Sequence, residues 1–216
     1  MNTRTRTLVR FAILAAILLV MSITPLGYLK LGFIEISFLC LPVIVGAVLM
    51  GPTAGALLGL IFGLTSFAQC FTGSPFGAML AGLSIPRTFL VCVPTRTLMG
   101  WLVGAIFRGM YKSEGLRKGA YIVSSGAGAL LNTVLFTGAL FLLFGANTEF
   151  MSNMGATSVT ISLLAAFVGV NGLVEAAVCV LFGLALPRIA KAVYRSTPED
   201  ELAALGGKKE DEESDA

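Results

Sequence analysis

Four glycines, Gly51, Gly55, Gly59 and Gly63, recur at every fourth position of the apolar stretch GPTAGALLGLIFGLTSFAQCFTGSP, residues 51–75. Residues four apart share one face of an α-helix, so these glycines draw a smooth stripe along it. In water each helix-interior glycine costs about 1 kcal/mol relative to alanine. In a bilayer, small residues at this spacing let a second helix approach closely. The stripe therefore predicts a packing rail on a membrane helix, helix three of the chain. Thr65, Ser66 and Gln69 bring polar groups to the end of that helix, and a Gly-Ser-Pro turn closes it. A rail of this kind predicts that Gly59→Leu harms folding before it harms specificity.

The rest of the chain has the composition such a helix needs. Its 216 residues are 56% hydrophobic and only 12% charged. A span takes about 20 mostly apolar residues, and the apolar stretches make about six such segments, leaving nothing for a sizeable soluble domain. The fold class is all-α integral membrane, with six transmembrane helices over residues 8–23, 38–50, 53–71, 86–110, 119–144 and 158–185. Residues 27–37 read as an aromatic connector, residues 72–85 as an apolar Gly/Ser/Pro-rich loop. Residues 1–195 form one membrane domain, and residues 196–216 an acidic, disordered tail. The basic N-terminus followed by an apolar run resembles a signal peptide, but the run is long and no A-x-A-like site ends it; it is kept as the first span.

Lysine and arginine fix the expected orientation. Of 15 such residues, all but Lys30, Arg87 and Arg96 fall at the N-terminus, in the loop after helix four, or beyond helix six. Cytoplasmic loops carry this excess, so both termini are cytoplasmic and the number of spans is even. The net charge of +3 comes from these anchors and does not point to nucleic acid.

The chain has no histidine. That removes histidine metal sites and general bases together. No P-loop glycine-lysine motif is present to cradle ATP. Cys40, Cys70, Cys92 and Cys179 sit in apolar runs without a C-x-x-C spacing and read as small packing residues. No metal or cofactor is expected.

Two arginines are left over by topology. Arg87 lies near the outer end of helix four and is able to snorkel. Arg96 lies roughly 15 Å into the helix at 1.5 Å per residue, where a charge costs at least about 2.5–3.5 kcal/mol. It needs an anion or several acceptors. Pro94 loosens the helix just before it. Asn132 on helix five, Asn171 and Glu175 spaced i, i+4 on helix six, and Thr65 and Gln69 spaced i, i+4 on helix three are the available partners. They predict an outward-opening cavity lined by Thr65, Gln69, Arg96, Asn132 and Asn171, with Glu175 deeper. In one reading Arg96 pairs with the carboxylate of a bound solute, which a guanidinium suits. In the other it is closed in an ion pair with Glu175.

At this point the chain resembles a known family, the substrate-binding S components of energy-coupling factor (ECF) vitamin transporters. The resemblance covers about residues 4–194. It rests on six spans in just over 200 residues, and on the A-x-x-x-A pair Ala12 and Ala16 in helix one. It rests further on the long block of residues 25–66, on P-x-R-x-L-x-G from Pro94 to Gly100, and on NGLVEA from Asn171 to Ala176. It implies a protein that captures a vitamin from outside, in a bacterial or archaeal membrane, without energy of its own. It implies docking on a membrane coupling (T) subunit carried by two cytoplasmic ATPases, with Ala12 and Ala16 as the contact. Within the family the chain is most similar to the pantothenate-type group, which implies that Arg96 binds the carboxylate and that Asn132 and Asn171 face the amide and hydroxyls. Thr72, Gly73, Ser74 and Pro75 then start a lid over the pocket.

The alternative is a self-sufficient secondary transporter or channel for an organic anion. It needs a coupling carboxylate at depth, and Glu175 is the one candidate. Inverted repeats are its signature. AGALL occurs at Ala54 and again at Ala127, but in helices of the same direction. A membrane enzyme is disfavoured, because the chain has no histidine and no paired intramembrane carboxylates.

Overall fold

The computed structural model describes residues 3–24, 27–31, 34–113, 115–116, 119–153 and 161–193. The acidic tail, residues 196–216, lies outside them. The elements in order are α1 (Thr3–Ile23), β1 (Tyr28–Leu31), β2 (Ile34–Ser37), α2 (Cys40–Met50), α3 (Pro52–Thr72), α4 (Pro75–Leu83), α5 (Ile85–Tyr111), α6 (Ala120–Phe144), α7 (Thr148–Asn153) and α8 (Ile161–Val193).

The shortest of the bundle helices is its centre. Every residue of α2 except Leu41 is buried, and α2 packs against α1, α3, α5, α6 and α8. Its sequence, CLPVIVGAVLM, is apolar on all faces, as a helix surrounded by others must be. Among the described residues, five stretches are long and apolar enough to cross a membrane: Thr5–Ile23, Pro52–Thr72, Ile85–Tyr111, Ala120–Phe144 and Gly172–Ala190. The sixth apolar helix, α2, has 11 residues, about 16 Å of rise and half of a hydrocarbon core.

The glycine rail lies against α5. A Cβ on Gly55 would stand 2.3 Å from the Gly100 carbonyl oxygen, one on Gly59 2.2 Å from that of Arg96, and one on Gly63 2.7 Å from the Val93 Cα. The fit is mutual, since a Cβ on Gly100 would lie 2.1 Å from the Gly55 oxygen and one on Gly104 2.6 Å from the Pro52 Cα. Two backbones thus meet where side chains would hold them apart. The rail begins at Gly51, whose φ of 93° is open to glycine and strained for other residues. That turn, with Pro52 opening α3, reverses the chain between α2 and α3 without a loop.

Four segments differ from the sequence expectation. Residues 72–85, expected as an apolar loop, contain the helix α4. Ser74 caps it by accepting from the Gly77 N–H at 2.9 Å, and Pro75 occupies its first turn. Ser then Pro is a helix-start signal that the expectation took for a turn. The connector at residues 27–37 is an antiparallel hairpin, with Tyr28 opposite Ser37 and Leu31 opposite Ile34. A further short helix, α7, carries Phe150 and Met151 into a cluster with Phe76, Leu80, Val91, Leu140 and Phe144. Thus α4 and α7 cover one end of the bundle together. Helix α8 also runs on past residue 185, through Pro187.

Candidate functional site

Arg96 is 6% exposed, on the stretch of α5 that the rail holds. Its Nη1 donates to the Cys92 carbonyl oxygen at 3.2 Å, one turn earlier on its own helix. The guanidinium carbon lies 4.9 Å from the centroid of the Phe62 ring of α3 and 4.7 Å from that of Phe136 of α6. Aromatic faces attract a cation electrostatically, by about 2 kcal/mol when desolvated. They cannot accept the directional hydrogen bonds of five N–H donors, and Nε is buried with no partner among the described residues.

A carboxylate lies nearby but is otherwise engaged. Glu175 of α8 is 2% exposed. Its Oε1 accepts from the Ser37 backbone N–H at 2.9 Å, and its Oε2 from Asn132 Nδ2 at 3.1 Å. Arg96 is close enough to act on it electrostatically. Among the described residues no ion pair joins Arg96 to Glu175. The closed pair considered from the sequence is therefore not what balances Arg96. Glu175 instead ties the end of the hairpin to α6 and α8. Asn132, 7% exposed, keeps a buried Oδ1 without a partner among the described residues.

The other expected residues fall as follows. Asn171 is on α8, four residues before Glu175; its side chain lies outside the described residues. Thr65 donates to the Phe62 carbonyl oxygen at 2.9 Å, within its own helix. Gln69 Nε2 donates to the Ser22 carbonyl oxygen and so fastens α3 to α1. Both donors are committed away from Arg96. Arg87 is exposed and donates to the Leu143 carbonyl oxygen at 3.2 Å, linking α5 to the end of α6. Thr72 ends α3, Gly73 follows it, and Ser74 and Pro75 begin α4. Ala12 and Ala16 are on the exposed side of α1, among Leu8, Val9, Ile13, Ile17 and Val20. Among the described side chains of α1, Leu18 is the one that is fully buried.

Phe62, Phe136 and the Ser37 backbone N–H are the groups the sequence did not point to. Phe62 lies three residues after Gly59 on the rail, and Phe136 one turn after Asn132. Those spacings were the available signal. The four cysteines are buried and none forms a disulfide, with Cys40 and Cys179 in contact at 3.5 Å between α2 and α8. They act as packing groups here, as expected.

Residues 6–186 match the family described as ECF transporter, substrate-specific component. The chain belongs to this family. Among its relatives, the pantothenic acid transporter PanT of Lactococcus lactis subsp. cremoris (strain MG1363) is 31% identical over 166 residues, spanning 72% of this chain and 78% of that protein. As an S component the chain is a multi-pass membrane subunit of a vitamin transporter. An ion-coupled secondary transporter is a different class of protein, and Glu175, its one candidate coupling carboxylate, is held by Ser37 and Asn132.

Proposed function

We propose that this S component captures pantothenate from outside the cell and delivers it inward when docked on an ATP-driven coupling module. The observation that carries the substrate is Arg96: a buried guanidinium, stacked between two rings, with an unfilled donor. A ligand carboxylate supplies the missing anion and a directional acceptor. Similarity to a pantothenic acid transporter favours pantothenate among small acids. Asn132 on α6 then faces the amide and hydroxyls, a role shared in this reading by Asn171, four residues before Glu175 in the sequence of α8. The excess of lysine and arginine on one side supports cytoplasmic termini. In that orientation α4, α7 and the hairpin lie outside, α4 and its Ser74 cap forming the lid, and residues 1–195 act as one membrane domain. Thr65 and Gln69, each with one donor engaged within the protein, line the outer part of the pocket in this reading.

The partners are a membrane T subunit and two cytoplasmic ATPases. The exposed alanine pair of α1 supports this, since small residues let a second helix approach. Replacing Ala12 and Ala16 together by Trp is expected to leave pantothenate affinity unchanged while uptake into cells expressing the complete complex falls at least about tenfold. That loss corresponds to 1.4 kcal/mol or more in docking. Equal loss of binding and uptake would show that α1 only supports the fold. Uptake of labelled pantothenate with and without the ATPase subunits tests the coupling: transport that persists without them contradicts it.

A further inference from the structure

We propose that Glu175 is a positioning residue: it fixes the side-chain amide of Asn132 with the oxygen left as a free acceptor, and so makes the site select an acid that carries a hydrogen-bond donor. This rests on the pantothenate reading for the nature of the solute and adds how its donor is chosen. An ionised carboxylate only accepts hydrogen bonds. One oxygen of Glu175 takes the Ser37 backbone N–H, which only donates, and the other takes Asn132 Nδ2. Turning Asn132 over would set its oxygen against a carboxylate oxygen, two acceptors face to face. The amide is therefore held one way round. Its Oδ1 is buried and unpartnered among the described residues, as is Arg96 Nε.

The two unfilled groups are neighbours in the fold. Asn132 and Phe136 are one turn apart on α6, and Phe136 lies against Arg96. The site thus presents an unpaired acceptor on α6 and an unfilled cationic donor on α5, with Phe136 between them in the fold. An acid with an N–H or O–H a few bonds from its carboxylate satisfies both. An acid of the same shape without that donor leaves Asn132 Oδ1 buried and unpaired, and an unmade buried hydrogen bond is penalised more than a made one is rewarded. Ser37 adds a consequence. The same carboxylate that orients Asn132 holds the end of the hairpin, so the selecting amide and the hairpin share one anchor.

The test is titration calorimetry of the full chain in detergent with three probes: pantothenate, its isostere with an ester oxygen in place of the amide N–H, and its isostere lacking the hydroxyls. Wild type is expected to prefer pantothenate over at least one isostere by about 10- to 100-fold. In E175Q the glutamine amide donates as well as accepts, Asn132 is free to turn over, and the gap is expected to shrink below about threefold. A gap unchanged in E175Q overturns the inference, as does a wild type that binds all three equally. A wild type that binds none overturns the pantothenate reading instead. Melting of the ligand-free protein decides the pairing independently. N132D faces two carboxylates and is expected to lower Tm, and the swap N132D/E175Q to recover most of the loss. A swap no more stable than N132D overturns the pairing.

Discussion

Arg96→Ala is expected to remove binding of the proposed solute, pantothenate, while leaving a folded protein. The expected loss is at least about 30-fold in affinity, because truncating one partner of a buried, hydrogen-bonded charge pair costs about 2–5 kcal/mol. The protein survives because Arg96 contributes little else: one hydrogen bond within its own helix and contact with two rings. Removing it also removes a desolvated charge with an unfilled donor. Arg96→Lys is expected to fall between, since an ammonium keeps the charge but not the planar fork that meets a carboxylate with two parallel bonds. Calorimetry with pantothenate reads affinity, and the melting temperature reads the fold. Undiminished binding by Arg96→Ala would remove the carboxylate assignment.

Gly59→Leu has the opposite profile. Its Cβ alone would sit 2.2 Å from the Arg96 carbonyl oxygen, a backbone atom that cannot swing aside. Helices α3 and α5, the most extensive contact in the bundle, must separate to admit it. Overpacking of this kind costs about 1–3 kcal/mol where neighbours relax and more where they are backbone. The expected outcome is loss of most folded protein from the membrane fraction, and Gly59→Ala is expected to lower the melting temperature measurably. Gly138 on α6 is the control: a Cβ there meets nothing within 4 Å, so Gly138→Ala should melt no lower than wild type. Gly59→Leu protein that folds normally, with altered solute preference, would show that the rail lines the pocket.

The rail and the site are thus closer than the sequence suggested. Four glycines at i, i+4 spacing announce a close helix contact but not its partner. The partner turns out to be the α5 turn that carries Arg96. For the same reason Arg96 was legible as a buried charge in search of an anion, because its depth follows from counting residues along one helix. Its stacking between Phe62 and Phe136 was not, because it depends on which faces of α3 and α6 converge. Thr65 and Gln69 show the limit of spacing arguments from the other side. They share a face, as expected, but a threonine in a helix bonds readily to its own preceding turn, and Gln69 reaches across to α1. The hairpin and α4 were hidden by short length and by glycines that serve turns and caps alike. The engagement of Glu175 with a backbone N–H 138 residues away has no local signature at all.

The claim that the chain captures a small vitamin acid is tested most directly by native mass spectrometry of the protein purified from pantothenate-containing medium. The predicted result is a 1:1 complex carrying the mass of pantothenate, present for wild type and absent for Arg96→Ala. A neutral or cationic molecule bound at that stoichiometry, or pantothenate retained equally by Arg96→Ala, would contradict it.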